Sequence, residues 1–550
     1  MVIPSLMNWK KLLPHALAII SITFINSFFM TGLMKPGLPM LHDSNPHISR
    51  MIAFHTALLD GQLPPMWAKE VLGGIGSPVM MLNYQLPYFA TEGFVRLGFN
   101  YFESYKLVLA VSLIVSGVVM YLALSSKFDP LSSWLGALIY TLAPYRFVDI
   151  YVRGALGESL TFIFPPLLLL GFARSSLPIL IVGWAGLFLT HPTASAAFSA
   201  FFLGYVLFVG KKEEITRRLK LFFASFGVAL LLSAFNLLPT LALTKYTYYS
   251  PELSDTLLMF PTLSQLFHSN WGYGVSLPGT NDGMSFELGL VQWGALLASL
   301  IFIWKKKNGE IRYLLFASLL CLFFILPVSI PVYKILNLTN YIDFPWRLMF
   351  CLVFASAWMG AILVEKFKVK KSIKFVIVVI VAIGLIAQTL PIAHTDKYWH
   401  KTVAWFARET GDSYGEYAPL TRSTRDSAPF WKRAEFVTGD GEITSLVEKS
   451  NHQKYALKVT SDEAEVRINT TFFLGWVIPS NCFVTKRSLT HIDDSGLIGC
   501  KVKKGESNLE IKYEAPTVQK AGNLITLLGI GAYIWILYRS FYPHTTKLRQ

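Results

Sequence analysis

A series of long apolar runs constrains this chain more than any other feature of its sequence. The first, "LLPHALAIISITFINSFFMTGLM" at residues 12–34, matches the roughly 20 residues that a helix needs to cross a hydrocarbon core. Of the 550 residues, 53% are hydrophobic and 15% are charged, whereas roughly 25% are charged in an ordinary soluble domain. The sequence therefore predicts a polytopic α-helical membrane protein embedded in a lipid bilayer.

The apolar runs are long enough, and numerous enough, for about twelve membrane spans. We predict them at residues 12–34, 105–125, 131–147, 159–173, 177–192, 195–210, 220–243, 288–304, 313–330, 346–364, 374–392 and 522–539. The first run is expected to stay in the protein as a helix, because no small-residue cleavage site follows it.

The positions of the basic residues indicate the topology. With the amino terminus in the cytoplasm, every dense basic run falls in a cytoplasmic turn, as the positive-inside rule requires. These turns contain Lys127, Arg174, residues 211–220, 305–312 and 365–374, and the tail residues Arg539, Lys547 and Arg549. The net charge of +15 is therefore attributed to topology, and no nucleic-acid partner is expected. We expect a protein of the bacterial inner membrane with both termini in the cytoplasm.

The opposite, extracytoplasmic side then receives the long polar segments, of which residues 393–521 form the largest. Stretches such as "KYALKVTSDEAEVRINTTFFLGWVIP" alternate apolar and polar residues with the period of a strand. We therefore divide the chain into a transmembrane module at 1–392, an extracytoplasmic β-rich domain at 393–521, and a last span with a basic tail at 522–550. Cys482 and Cys500 lie in the β-rich domain, where an oxidising compartment permits a disulfide, but the sequence does not decide whether they pair.

The first candidate site follows the first span directly, in "LMKPGLPMLHDSNPHISR". His42, Asp43, His47 and Arg50 gather at the mouth of a membrane helix, where charge is costly to bury. Asp43 is the candidate for a general base or a metal ligand. The following residues, from 48 to 59, have an amphipathic pattern that predicts a helix lying on the membrane surface.

The second candidate site is "APYRFVDIYVRGALGESL", which carries Arg146, Asp149, Arg153 and Glu158 between two spans. The planar guanidinium group binds phosphate oxygens in pairs, so the arginines are candidates for holding a phosphate. The carboxylates would then orient them. The alternative is a set of salt bridges that only fixes the helix hairpin, and the two interpretations are compatible.

Single residues elsewhere on the same side are weaker candidates for substrate binding. His191 in "FLTHPTAS" and Arg347 in "YIDFPWRLMF" stand at helix ends, where an interfacial hydrogen bond or a snorkelling side chain explains each one alone. The turn "LGGIGSP" at 72–78 would let the backbone approach a ligand closely, although it lacks the ending of a phosphate-binding loop.

The histidines and the aspartate of the first site resemble metal ligands. Their spacing does not match a zinc motif, because His42 and His47 are five positions apart across a proline. A weakly held Mg²⁺ or Mn²⁺ ion on Asp43 is easier to reconcile with the sequence, since such ions use few protein ligands and let phosphates complete the shell.

Several stretches together resemble a known group of proteins, and they occur in the same order along nearly the whole chain. They are "HDSNPHISRMIAFHTALLDGQLPPMW", "YRFVDIYVRGALGESL", "THPTAS", "DFPWRLMF", "GEYAP" (415–419), "LGWVI" and "DDSGLIGCKVKKGESNLEIKYEAPTVQKAGNLITLLG". The chain resembles the bacterial membrane proteins called 6-pyruvoyl-tetrahydropterin-synthase-related, the YfhO-like proteins, and more broadly the GT-C glycosyltransferases. This resemblance implies a multi-span enzyme that uses a polyprenyl-phosphate sugar on the outer face of the membrane. It also implies that Glu416 and Tyr417 lie near the site.

One departure from the GT-C pattern concerns the first loop. Many GT-C enzymes carry a pair of acidic residues there, whereas Asp43 is flanked by His42 and Ser44. The resemblance therefore supplies the architecture more firmly than the reaction.

Three functions remain open from the sequence. The first is an inverting glycosyltransferase that moves a sugar from a polyprenyl phosphate to a cell-envelope glycan, lipid or protein. The second is a non-catalytic transporter or scaffold for envelope polymers, and the third is a GT-C fold that has lost activity and serves as a binding module. A transporter should carry ionisable residues in the middle of its spans. Here they gather at the outer ends, which favours the first function.

Overall fold

The computed structural model describes residues 9–249, 259–275, 282–305, 308–409, 415–422, 432–485 and 496–541, and the single positions 256, 277 and 279. These parts of the chain are mostly helical, with a six-stranded antiparallel sheet near the carboxyl end. The predicted basic tail residues Lys547 and Arg549 lie outside the described residues.

The described α-helices are numbered in chain order. The first twelve are α1 (Trp9–Met30), α2 (Ser44–Leu59), α3 (Val79–Leu82), α4 (Leu86–Arg96), α5 (Tyr101–Ser125), α6 (Pro130–Thr141), α7 (Pro144–Phe147), α8 (Leu156–Thr161), α9 (Phe164–Arg174), α10 (Leu177–Thr190), α11 (Pro192–Phe208) and α12 (Lys212–Leu243). The others are α13 (Leu263–Phe267), α14 (Leu290–Lys305), α15 (Gly309–Ile325), α16 (Ile330–Leu336), α17 (Met349–Lys366), α18 (Lys371–Thr389), α19 (Val403–Glu409) and α20 (Thr517–Phe541).

Seven helical segments in the described part of the chain are long and apolar enough to cross a membrane, so the protein is a multi-pass membrane protein. They are Leu12–Met34, Tyr101–Ser125, Leu156–Arg174, Lys212–Tyr246, Pro345–Lys366, Lys371–Ile392 and Thr517–Phe541. An eighth would combine Gly309–Ile325 and Pro327–Leu336, which meet at an angle of 79°.

The predicted total of about twelve spans is not confirmed. The predicted spans at 131–147, 177–192, 195–210 and 288–304 coincide with α6, α10, α11 and α14, which have 12, 14, 17 and 16 residues. These helices are shorter than the roughly 20 residues of a typical span. They are apolar, but their length alone does not establish that they cross.

One end of the helical region brings together turns that the sequence assigned to the cytoplasm. Lys127 forms an ion pair with Glu310. The Lys374 ammonium lies 2.6 Å from Asp129 Oδ2, and the Asp129 N–H donates to Glu365 Oε2 at 3.0 Å. We call this the inner end, after its predicted side.

Another set of contacts joins turns that the sequence assigned to the opposite side. Arg153 of the 146–158 hairpin lies 3.9 Å from Asp43 of the first loop, and Arg347 Nε donates to Glu158 Oε1 at 2.8 Å. We call this the outer end. The turns therefore associate in the two groups that the charge pattern predicts.

Helix α2 corrects one prediction for the first outer loop. It begins at Ser44 and ends at Leu59, close to the predicted limits, but residues 46–54 are all buried. Phe54 contacts the Phe89 ring of α4, with 4.9 Å between the ring centroids, and the Ser49 hydroxyl donates to the Phe406 carbonyl of α19. The expected helix on the membrane surface is therefore wrong, because protein surrounds this helix on several sides.

Two sheets are present among the described residues. The strands are β1 (Leu38–Pro39), β2 (Tyr398–Trp399), β3 (Ala434–Thr438), β4 (Gly441–Glu448), β5 (His452–Thr471), β6 (Trp476–Val477), β7 (Cys482–Val484) and β8 (Leu497–Tyr513). β1 pairs with β2. The six others form one antiparallel sheet in the order β3-β5-β8-β6, with β4 on β5 and β7 on β8.

The long strands β5 and β8 confirm the β-rich carboxyl-terminal region. Tyr455, Leu457 and Val459 are buried at alternate positions of β5, as the period-two pattern predicts. Cys482 and Cys500 are directly opposite in the β7–β8 pairing and form a disulfide, the point that the sequence left open.

The sheet contacts the first outer loop. The Trp67 ring lies 5.4 Å from that of Trp476 and 5.2 Å from that of Tyr513, and the Thr471 N–H donates to the Ile75 carbonyl at 2.8 Å. Strands β5, β6 and β8 thus all hold the loop that also carries Asp43 and α2.

The turn "LGGIGSP" takes part in this contact. Gly76 has a φ of +85°, and a Cβ there would lie 2.5 Å from Trp67 Nε1. Arg433 of the sheet region donates to the Gly74 carbonyl. The glycines therefore let the backbone of this turn pack closely against Trp67 and the sheet region. The sequence had predicted a close approach of this backbone to a ligand.

Candidate functional site

The site is built where the chain reverses between α7 and α8. After α7 the backbone makes a π-helical turn, Val148–Arg153, and Gly154 then adopts a left-handed φ of 67°. The Tyr105 hydroxyl donates to the Gly154 carbonyl at 2.7 Å, and a Cβ at 154 would lie 2.0 Å from that hydroxyl oxygen. The wide turn and the glycine together place Arg153 and Glu158 beside each other.

Glu158 is the centre of the site, because its two carboxylate oxygens have four partners. Oε2 accepts hydrogen bonds from Arg153 NH1 at 2.6 Å and from the Tyr145 hydroxyl at 3.1 Å. Oε1 accepts from Arg347 Nε at 2.8 Å and lies 3.5 Å from His191 Nε2. Its side chain is only 2% exposed, so these partners replace water around a buried charge.

Arg153 connects this buried carboxylate to the open side of the site. Its NH1 donates to Asp149 at 2.9 Å and to Glu158, whereas its NH2 lies 3.9 Å from Asp43 Oδ2. Its guanidinium carbon lies 4.7 Å from the centre of the Trp346 ring. The side chain is thus fixed on one edge and faces Asp43 with the other.

Asp43 is the exposed member of the cluster. Its side chain is 34% exposed, against 0% for that of Asp149. Its backbone N–H donates to the Arg153 carbonyl at 2.8 Å, and the neighbouring His42 N–H donates to the Val152 carbonyl at 3.1 Å. The first loop is therefore attached to the π-helical turn by its backbone, which positions the Asp43 carboxylate.

Arg347 and Asp343 form a second arm of the network. Arg347 NH1 donates to Asp343 Oδ1 at 2.5 Å, and its guanidinium carbon lies 4.4 Å from the centre of the Phe344 ring. Both residues come from the short segment before α17. Snorkelling alone does not describe a side chain bound to two carboxylates, and a role of Arg347 in substrate binding stays a prediction.

The two buried histidines hold the surrounding helices in place. His47 Nε2 accepts from the Leu156 N–H at 3.4 Å, so its Nδ1 carries the proton and donates to the Tyr88 hydroxyl at 3.0 Å. His191 is the amino-terminal cap of α11, with Nδ1 accepting from the Ala194 N–H at 3.4 Å. Burial, and then the charges of Arg50 and Arg153, lower the pKa of His47 to about 3, so the ring is neutral at pH 7.

Asp149 shares Arg153 with Glu158 but is deeper in the protein. Its side chain has no exposed surface, and Oδ2 has no hydrogen-bond partner among the described residues. Burial, and then the nearby Glu158 carboxylate, raise the pKa of Asp149 above its usual range. This carboxyl group is therefore a positioning group for Arg153 and cannot contact a substrate directly in this conformation.

Arg146 is separated from the open side of the site. It is fully buried, with its guanidinium carbon 3.9 Å from the centre of the Phe162 ring and NH1 donating to the Ser159 carbonyl at 3.2 Å. The expectation that Arg146 holds a phosphate is not supported by this position, because Phe162 and the α8 backbone enclose the guanidinium group.

The remaining predicted residues lie at the edge of the cluster. His42 Nε2 is 3.0 Å from the Tyr273 carbonyl oxygen. The Arg50 guanidinium carbon lies 5.9 Å from the centre of the Tyr417 ring, which brings "GEYAP" to α2. Glu416 is half-buried. The pKa of Tyr249 is raised by burial, then by the Asp343 carboxylate and then by the Glu416 carboxylate. The segment thus lies beside α2, and a role of Glu416 and Tyr417 in the site stays a prediction.

Sequence reasoning missed the aromatic residues of the site. Tyr84 lies against His191, with 6.1 Å between the ring centroids, and the charges of Arg50, Asp43 and Glu158 all act on its hydroxyl. Tyr145 donates to Glu158. No sequence signal distinguishes these two among the 24 tyrosines of the chain, although Tyr145 does precede Arg146 in the second candidate site.

The residues at Asp43 fit a metal ion poorly. The described residues contain no group of three or more His, Cys, Asp or Glu side chains that could hold one. The nearest charged neighbour of the Asp43 carboxylate is the Arg153 guanidinium, which would repel a cation. The Mg²⁺ or Mn²⁺ ion stays a prediction.

No protein family matches the sequence, and no curated protein matches it. Among solved structures, the arabinofuranosyltransferase AftD from Mycobacteria is 14% identical with a TM-score of 0.43, over 70% of this chain and 27% of that one. The oligosaccharyltransferase from Archaeoglobus fulgidus in its apo form is 12% identical with a TM-score of 0.45, over 78% of this chain and 62% of that one.

The chain therefore spans less than two thirds of either of these proteins. Both TM-scores and both identities are too low for the similarity to assign an activity. What the described residues define by themselves is a class: a multi-pass helical membrane protein with a carboxyl-terminal sheet region and a buried network of charges that reaches two partly exposed carboxylates, Asp43 and Asp343.

Proposed function

We propose that this protein is a membrane glycosyltransferase that works on the extracytoplasmic face. The donor is a polyprenyl-phosphate-linked sugar, and the acceptor is a hydroxyl group of a cell-envelope glycan, lipid or protein. The observation that carries the proposal is the pair formed by Asp43 and Arg153. The partly exposed Asp43 carboxylate lies 3.9 Å from a guanidinium group that the buried side chains of Asp149 and Glu158 hold in place.

This pair provides the two groups that sugar transfer from a phosphate requires. The Asp43 carboxylate accepts the proton of the acceptor hydroxyl as its oxygen attacks the anomeric carbon. The bond between that carbon and the phosphate oxygen breaks, and the polyprenyl phosphate leaves with the bonding electrons. Attack from the opposite side inverts the anomeric centre. Arg153, through NH2, stabilises the charge that builds up on the phosphate.

The other residues act through Arg153. Asp149 and Glu158 fix its NH1 edge, and Arg347 and His191 fix Glu158 in turn. Such preorganisation favours the transition state, because the charge that it stabilises develops without rearrangement of the protein. Asp43 needs no resident metal ion for this role. A Mg²⁺ or Mn²⁺ ion would enter only with the phosphate of the donor.

One observation favours the second candidate, a transporter or scaffold of envelope polymers. Helices α15 and α16 form a bent pair with an angle of 79°, and broken helices near a binding site are typical of transporters. Transporters use such helices in pairs related by an internal repeat. A single bent pair is present in the described part of the chain, so we rank this function second.

The experiment uses the purified full-length chain in lipid vesicles with a panel of radiolabelled polyprenyl-phosphate sugars and envelope extracts as acceptors. Wild-type protein should transfer label from one donor, and Asp43→Asn should lower the rate by about 10²–10⁴-fold. Asp462→Asn is the matched control, since Asp462 is an exposed aspartate of β5 that pairs with Lys504 in the sheet. If no donor is consumed, or if Asp43→Asn retains full activity, the transferase proposal is wrong.

A further inference from the structure

A cavity of about 480 Å³ lies apart from the charged network, at the outer ends of two membrane spans. Its walls come from the segment that follows α1, including Met34 and Gly37, and from the loop and first turns of α5, including Phe99, Asn100 and Glu103. Leu12–Met34 ends there and Tyr101–Ser125 begins there. The cavity is therefore at the level where lipid headgroups meet the protein.

The cavity is amphipathic. Met34 and Phe99 are each 41% exposed and form an apolar edge where two spans end. Lys106 and Glu103, one helical turn apart on α5, bring one positive and one negative charge to the same cavity. A ligand with an apolar tail, an anionic group and a cationic group would match all three features.

The charged groups are fixed by their own hydrogen bonds. Lys106 is only 4% exposed, and its Nζ donates to the Lys35 carbonyl at 2.8 Å and to the Gly37 carbonyl at 3.2 Å. The third N–H donor has no partner among the described residues. Glu103 Oε2 accepts from the Asn100 N–H at 3.0 Å in a capping box. Its other carboxylate oxygen remains at the exposed surface of the helix start.

We infer that this cavity binds the headgroup of a phosphatidylethanolamine-type phospholipid from the outer leaflet. The phosphate accepts from the Lys106 ammonium, and the ethanolamine ammonium pairs with the Glu103 carboxylate. A purely anionic headgroup such as phosphatidylglycerol satisfies Lys106 but meets Glu103 with like charge. Charge complementarity therefore selects the zwitterionic lipid. This binding does not depend on the proposed transferase activity.

The test is native mass spectrometry of the full-length protein in detergent, titrated with phosphatidylethanolamine or with phosphatidylglycerol of the same acyl chains. Wild-type protein should bind the first lipid more tightly. Glu103→Gln should lower this preference by about threefold or more, because it removes the charge at the edge of the cavity. Glutamine also caps a helix, so this variant keeps the capping box and the fold.

Two further variants separate the contributions. Lys106→Gln should weaken both lipids alike, since both carry the phosphate. Glu514→Gln is the matched control, because Glu514 is an exposed carboxylate just before another span, α20, and pairs with Lys520 outside the cavity. It should leave the preference unchanged.

Three results would overturn the inference. One is equal binding of the two lipids by wild-type protein, and another is an unchanged preference in Glu103→Gln. The third is displacement of phosphatidylethanolamine by undecaprenyl phosphate at equal concentration, which would make the cavity part of the donor site. None of these measurements depends on turnover, so a failure of the transferase proposal leaves this result readable.

Discussion

The outer and inner ends of this membrane protein both carry ion pairs, but the pairs are organised differently. At the outer end Arg153 and Glu158 are 7% and 2% exposed, and each has several charged partners. At the inner end Lys127 and Glu310 are 21% and 20% exposed and form one pair. One end has a branched, buried network, whereas the other has separate pairs near solvent.

The difference has a physical meaning. A partly exposed pair contributes little to stability, because water screens it and both side chains lose freedom. A buried network is costly unless every charge finds partners, so it persists where its geometry serves a purpose or is completely satisfied. Asp149 Oδ2 has no hydrogen-bond partner among the described residues, so the outer network is not completely satisfied within that part of the chain.

The largest expected effect comes from removing the centre of the outer network. Glu158→Gln leaves two buried arginines with one carboxylate partner fewer each, and we expect a loss of roughly 3–5 kcal/mol in the free energy of unfolding. Denaturant titration in detergent micelles measures it. Glu310→Gln at the inner end is the matched control, with an expected loss of about 0–1 kcal/mol. Equal losses would remove the distinction between the two ends.

The second prediction concerns pH and His47 at the outer end. The pKa of this buried histidine is about 3 in the folded protein, below the 6.5 of the unfolded chain. Between these pH values the unfolded state binds more protons than the folded state. The contribution of His47 to the free energy of unfolding is therefore fully present above pH 6.5 and is lost as the pH decreases. At pH 5 the loss from this group is about 2 kcal/mol.

The measurement for His47 compares unfolding of the wild type and His47→Gln at pH 6.5 and pH 5. A comparison with the variant is needed because the pKa of Asp149 is raised in the folded protein. The contribution of Asp149 to stability therefore increases as the pH falls over this range, opposite to that of His47. The wild type should lose more stability than the variant on acidification. Parallel losses in the two proteins would show that His47 is not held neutral.

The third prediction sharpens the view of the inner end. Asp129→Asn removes the ion pair with Lys374 but keeps a side chain that can cap α6, where Asp129 Oδ1 accepts from the Ser132 N–H. We expect a loss of about 0–1 kcal/mol in the free energy of unfolding. A loss as large as that of Glu158→Gln would mean that the inner pairs also form a cooperative network.

The smallest expected effect concerns a metal ion at the outer end. Without donor, Mn²⁺ should show no saturable binding by electron paramagnetic resonance below about millimolar concentration, since Asp43 faces a guanidinium group. With a polyprenyl phosphate present, the phosphate can complete the shell, and Asp43→Asn should then weaken binding. Tight binding to the protein alone would contradict our description of the site.

The sequence identified many of the charged residues that meet at the outer end, but not their arrangement. Asp43, Arg153, Glu158, His191 and Arg347 were selected because charges at span ends are unusual, and the structure joins them in one network. Their roles in binding or catalysis stay predictions. The sequence indicates Arg146 in the same way, yet it is enclosed against Phe162, since spacing along the chain does not reveal which way a side chain points from a short helix such as α7.

Helix α2 and the turn at 72–78 illustrate a second limit. The amphipathic pattern predicts a helix at 48–59, and α2 spans Ser44–Leu59, but most of this helix is buried among α4, α5 and α19. The glycine-rich turn contacts the sheet through Gly74 and Ile75. A pattern reports that one face is apolar, but it does not report what covers that face.

Composition and local pattern by themselves determined that this is a multi-pass helical membrane protein with a β-rich region near its carboxyl end. Both conclusions depend on short-range properties: the length of apolar runs, the period of alternation and the sign of charge in each turn. Only the tertiary structure decided that Glu158 is the centre of the network, that Tyr84 stands beside it and that Cys482 pairs with Cys500. Those relations depend on how separate helices and strands pack against one another, as the contact between Glu158 and Arg347 illustrates, and local pattern does not report that packing.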